Sequence, residues 1–154
     1  MATLNYPLII TDTASNRVQM NICQYQNQGD QTPKYIHMKT NIARYSSVMY
    51  MIEAIGYNYG MAQSVRCAFT GYMYDDGTRP GITIYNPTQF TNYPGLTADG
   101  QYLSTDNYLC LRLYAASVYY CGFVLNVYQP SPVSTQASVG ISGFITTTSS
   151  GAQY

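Results

Sequence analysis

The chain has 154 residues, enough for one domain with its own core and too few for two large ones. Seven Lys+Arg balance seven Asp+Glu, and only 9% of residues are charged where a soluble domain has about a quarter. Clustered positive charge for counterion release is lacking, which argues against a nucleic-acid partner. The surface must instead be built from 18 Tyr together with Thr, Ser, Asn and Gln. With little charge to hold copies apart and much tyrosine to bring them together, the composition leans toward an assembly subunit. No basic region followed by an apolar run opens Met1–Gln19, and no apolar stretch is long enough for a bilayer. The expectation is a chain made in the cytoplasm, unprocessed, with no membrane partner.

In chain order, short strands are expected over 5–10 and 17–25, the second with Val18, Met20 and Ile22 on one face. Residues 34–42 place Ile36 and Met38 inward and His37 and Lys39 outward. Residues 48–55 are apolar at both alternations, as in a strand buried on both faces or half covered by a neighbour. Residues 65–74 alternate Val65, Cys67, Phe69, Gly71 and Met73 against a more polar set and stop at Asp75-Asp76-Gly77, where Gly accepts the positive φ of a tight turn. From Asp75 to Asp106, Pro80, Pro87 and Pro94 predict ordered loops with at most short strands, one of them at 82–85. Leu109, Leu111 and Leu113, then Cys121, Phe123, Leu125 and Val127, mark the two strongest strands, expected to be neighbours. A final strand is expected over 138–147.

About eight or nine strands without helical periodicity predict an all-β, antiparallel, jelly-roll-like sandwich. The sandwich is assigned to 17–128, with extended arms over 1–16 and 129–154. No Lys, Arg, Asp or Glu follows Arg112, and Val139, Ile141, Phe144 and Ile145 make the last segment an arm that orders by adding a strand, to its own sheet or to a neighbour's. Tyr114, Tyr119, Tyr120, Tyr128, Val139, Ile141, Phe144 and Ile145 form the candidate partner interface.

Little of the sequence points to chemistry. His37 is the one histidine and has no sign of a nucleophile or orienting carboxylate, so it is read as a surface or interface residue. Glu53, the one glutamate, lies in an apolar strand and is expected to pair with Arg66, Arg112 or Lys39, because an unpaired buried carboxylate is costly. Cys23, Cys67, Cys110 and Cys121 have no metal-ligand spacing and are read as reduced, buried thiols. Asp75-Asp76-Gly77 and Thr97-Ala98-Asp99-Gly100 are read as turns, and Gly56-Tyr57-Asn58-Tyr59-Gly60 as a tight turn with aromatic packing. No catalytic, cofactor or metal site is assigned. Tyr72, Tyr74, Tyr85 and Tyr93 form the candidate glycan site of an alternative reading, since aromatic faces stack on sugars as readily as they cover interfaces.

Four segments together resemble a known group of proteins: Ile36–Asn41, Met49–Gly60, Ser104–Tyr114 and Tyr119–Tyr128. They are similar to the β-sandwich modules of tailed-bacteriophage virion proteins, those of fibre tips and of capsid decoration (cement) proteins, over about residues 35–128. The resemblance implies a non-enzymatic virion protein on the outer capsid surface. A cement protein suits one compact domain with uncharged ends, and it implies the major capsid protein and further copies of the chain, as a homotrimer, for partners. The alternative is a tail-fibre, receptor- or glycan-binding head domain.

Overall fold

The computed structural model describes residues 8–11, 17–74, 84–130 and 138–154. Ten strands are described: β1 (Leu8–Thr11), β2 (Arg17–Gln26), β3 (Lys34–Ala43), β4 (Val48–Asn58), β5 (Gln63–Met73), β6 (Tyr85–Pro94), β7 (Thr97–Leu103), β8 (Tyr108–Ala115), β9 (Cys121–Gln129) and β10 (Ile141–Thr147). One 3-10 turn, Tyr59–Met61, is the only helical element among the described residues. The strands form a six-stranded sheet, β1-β2-β9-β4-β5-β6, and a four-stranded sheet, β10-β3-β8-β7, with every pairing antiparallel. The chain changes sheet from β2 to β3 to β4, from β6 to β7 and from β8 to β9 to β10, as in a jelly roll, and runs β4-β5-β6 as a meander.

Alternation decides which side chains enter the core. Tyr50, Ile52 and Ala54 of β4, Cys67 and Phe69 of β5, and Phe123, Leu125 and Val127 of β9 face Ile36 and Met38 of β3 and Leu109, Leu111 and Leu113 of β8. Each large apolar side chain buried here contributes about 1.5–3 kcal/mol. Polar groups tie the two layers together. Tyr50 donates its hydroxyl proton to Gln101 Oε1 at 2.6 Å, and Gln101 Nε2 donates to the carbonyls of Thr70 and Thr88. Gln19 exchanges two hydrogen bonds with the backbone of Val139, at 3.1 and 2.7 Å.

Several expectations are corrected by this architecture. Strands β8 and β9 are not neighbours: β8 lies between β3 and β7, and β9 between β2 and β4, because the segment joining them crosses from one layer to the other. The region 85–103 is mostly strand, not loop. Pro87 and Pro94 are tolerated because β6 is an edge strand with one partner, so a missing donor can face away from the ladder. Thr97–Gly100 opens β7 with a register shift between Ala98 and Gly100, so it is a bulged strand and not a turn. In β2, Gln19 lies opposite inward Val127 and is buried while Met20 faces out and is exposed. The register irregularity that follows, between Gln19 and Cys23 with Asn21 at φ 59°, lets Ile22 pack against the core instead of sharing the face of Val18 and Met20. Asp75-Asp76-Gly77 lies outside the described residues, as do 1–7, 12–16 and 131–137 of the two arms.

Gly56 and Tyr57 continue β4 through Asn58 and are not in a turn. A Cβ at Gly56 would run into the carbonyl oxygen of Gly122 and the Cα of Phe123, so glycine here lets β4 and β9 approach closely. The C-terminal strand β10 pairs with β3 of its own sheet, the first of the arm's two options. Beyond it, residues 148–154 cross the outer face of the four-stranded sheet as a strap. Ser150 O accepts from Arg112, Gln153 N–H donates to the Tyr102 hydroxyl, and Thr105 N–H donates to Tyr154 O.

Candidate functional site

The strap changes the reading of His37. Its strand position is outward, as alternation requires, but the ring is fully buried beneath residues 148–154. Nε2 lies 3.1 Å from the Ser149 carbonyl, which can only accept, so Nε2 carries the proton and Nδ1 accepts from the Tyr102 hydroxyl at 2.9 Å. Both nitrogens are committed, and burial holds the imidazole below its ordinary value of 6.5. The same burial pushes the Tyr102 phenol up to about 12. The ring has no lone pair free for proton transfer and serves as a clasp for the strap.

The four thiols are free, three of them buried and Cys23 half-buried. Burial pushes Cys67 and Cys121 up to about 12 and Cys110 up to about 11, which leaves little thiolate for nucleophilic attack. Glu53 pairs with Arg66 at 2.9 Å, as expected. Among the described residues no group of three or more His, Cys, Asp or Glu could hold a metal ion, and no helix is long and apolar enough to cross a membrane.

What remains is surface, and it is uneven. Of eleven exposed large apolar or aromatic side chains among the described residues, six stand on the outer face of the six-stranded sheet: Met20, Ile55, Tyr57, Phe90, Tyr93 and Tyr128. The register sets them in rows. Tyr128, Met51 and Thr70 form one row; Asn126, Glu53, Ala68 and Phe90 the next; Val124, Ile55, Arg66 and Tyr93 the third. The paired Glu53 and Arg66 therefore sit mid-face, with a methionine and tyrosine region on one side and a glutamine and tyrosine region on the other.

The methionine and tyrosine end holds an open depression of about 440 Å³ among Met49, Met51, Tyr72, Tyr85, Tyr128 and Pro130. Tyr72 and Tyr74 stack at 5.0 Å, and Tyr85 lies opposite Tyr72 in the ladder. A smaller hollow among Val18, Met20, Met51 and Tyr128 extends it. Three of the four candidate glycan residues thus converge here, and Tyr93 does not: it faces Arg66 in the third row. The lining around them is mostly apolar, with Met49, Met51 and Pro130, and its polar side chains besides tyrosine are Thr70 and Asn86.

The eight residues of the expected partner interface are spread over separate surfaces. Tyr128 is on the face just described. Tyr114 packs against Tyr35 on the four-stranded sheet, with ring centroids 4.9 Å apart. Tyr119 and Tyr120 cluster with Tyr59 at the end of the sandwich. Phe144 stacks on Tyr25 at 5.4 Å, and Ile141 and Ile145 are partly covered in β10. Val139 is buried in its own domain under the Gln19 clamp, so it cannot meet a partner in this fold. Sequence reasoning missed Met20, Met49 and Met51 as a surface. The signal was present in 48–55, where apolar residues at both alternations leave one apolar set outside when no second layer covers it. Comparison of the chain with protein-family models, with curated proteins and with solved structures found no match.

Proposed function

We propose that the chain is a structural subunit of a tailed-phage particle, a capsid cement protein that docks on the outer shell and holds neighbouring capsomers together. The observation that carries this reading is the methionine and tyrosine end of the six-stranded sheet. It is a broad apolar surface, centred on Met51, Tyr72 and Tyr128, whose nearest charges neutralise each other. Methionine adapts to irregular contours and tyrosine gives large contact area at low entropic cost, so such a surface suits a flat protein partner. The partner is the major capsid protein, and the chain associates with two further copies at the local threefold positions of the shell. Its action is mechanical: apolar area buried over many copies opposes expansion of the shell.

Two measurements test this. Mass spectrometry of purified particles, with cryo-electron microscopy, should find many copies spread over the head; a handful confined to the tail would sink the proposal. Shells lacking the protein should take it up at a fixed stoichiometry, and Met51→Lys with Tyr128→Asp should weaken uptake by at least about tenfold, the scale of a lost anchor contact.

A further inference from the structure

The glutamine and tyrosine end of the same face is built differently. Gly122 of β9 lies between Gln26 of β2 and Tyr57 of β4, and Val124 lies between Gln24 and Ile55. With strands about 4.8 Å apart, Gln26 and Tyr57 stand about 10 Å from each other with only the bare backbone of Gly122 between them. Tyr120 closes the end, giving an open trough of about 680 Å³, a size in the range of small-molecule clefts, about 300–1,000 Å³.

Three features of the trough point to one class of ligand. Its aromatic rims are offered to solvent, Tyr57 at 50% and Tyr120 at 51% exposure. Tyr120 is held there at φ 46° as the left-handed residue of the turn into β9, which the Cys121 N–H closes on the Val118 carbonyl at 3.1 Å. The side-chain amides of Gln24 and Gln26 are exposed and make no hydrogen bond to another described residue, so each presents free donors and an acceptor. None of the residues lining the trough is charged, and Arg66, opposite the lining residue Ile55 in the ladder, is paired through its Nε with Glu53.

We infer that this trough binds a neutral oligosaccharide. The apolar C–H face of a pyranose packs on the tyrosine rings, and its hydroxyls exchange hydrogen bonds with the two amides, which can donate and accept at once. An acidic sugar would find no cation among the residues that line the trough. The site is distinct from the Tyr72, Tyr74 and Tyr85 end, where methionine lines the surface. It goes beyond the assembly role and does not rest on it.

The test titrates the full chain with maltohexaose, cellohexaose, mannohexaose and a neutral galactan fragment, with sialyllactose as the acidic comparison. Amide correlation spectra follow Gln24, Gln26 and Gly122, and tyrosine emission is a second readout because the chain has no Trp. At least one neutral sugar is expected to shift these signals. Tyr57→Ala, Tyr120→Gly and Gly122→Val are each expected to weaken that binding by at least about tenfold. Two of these variants keep the fold: glycine relieves the left-handed strain at position 120, and a Cβ at Gly122 meets only the Tyr25 carbonyl at 3.4 Å. Tyr72→Ala should leave sugar binding unchanged, and Gly122→Val should leave shell uptake unchanged. No response to any neutral sugar, tighter binding of sialyllactose, or unchanged affinity in Tyr57→Ala and Gly122→Val would overturn the inference.

Discussion

The Nε2 of His37 donates to the carbonyl of Ser149, 112 positions further along the chain, at 3.1 Å. This bond fastens the C-terminal strap to the four-stranded sheet and makes the strap sensitive to pH. Burial disfavours the charged ring; the Ser149 carbonyl opposes this, the Arg112 charge reinforces it, and Asp99 opposes it more weakly. Above 6.5 the ring is neutral in both folded and unfolded chain. As pH falls below 6.5 the unfolded chain binds a proton that the folded chain does not, so stability declines until the lower folded value is passed. Urea midpoints should therefore fall between about pH 7.5 and about pH 5, and His37→Gln should flatten that dependence. Asp30 and Asp106, both held below the ordinary 3.8 by hydrogen bonds, add a separate loss only at more acid pH. A dependence that persists in His37→Gln would reject the clasp as its source.

Asn58 is a second long-range tie. It is fully buried, and its Nδ2 donates to the carbonyls of Gly95 and Ser117, both at 2.7 Å, joining the end of β4 to the crossings that lead into β7 and β9. Asn58→Ala leaves a buried acceptor at Gly95 and a partly buried one at Ser117 unpaired and should cost about 2–4 kcal/mol in chemical denaturation. Asn58→Asp should cost more at neutral pH, since it sets a carboxylate against two carbonyls.

Gly56 and Gly122 are adjacent in space yet should respond in opposite ways. A Cβ at Gly56 would lie 2.6 Å from the Cα and 2.8 Å from the Cβ of Phe123, so Gly56→Ala must push β4 and β9 apart. The expected loss is about 2 kcal/mol or more. Gly122→Ala should stay within about 0.5 kcal/mol of the parent chain. Thermal denaturation of the two variants side by side checks the contrast.

Thiol reactivity should separate the cysteines. Burial raises all four thiols, but Cys23 is only half-buried, while Cys67, Cys110 and Cys121 are buried and pushed up to about 11 or 12. Maleimide labelling of the native chain should modify Cys23 first and the other three only on unfolding, as peptide mass mapping would show. Early labelling of Cys67 or Cys121 would contradict the core packing.

Alternation alone was enough to read the all-β class and the inward faces of β3, β5, β8 and β9, because a strand's side chains obey a period of two wherever it lies. That Glu53 needed a cation was legible too, but which of Arg66, Arg112 and Lys39 it met was decided by the pairing of β4 with β5. Pairing partners are a different matter. Whether β8 meets β9 or crosses to the other layer depends on which faces close over one core, a property of all ten strands together. Pro87 and Pro94 suggested loop because proline is excluded from central strands, and only the sheet order revealed β6 as an edge. His37 looked exposed because its own strand puts it outward; the strap that buries it comes from the far end of the chain. The surface split the same way. Tyrosine abundance and low charge were legible as composition, but the division into a methionine end and a glutamine end is set by the register of β2, β9, β4 and β5, which no single segment encodes.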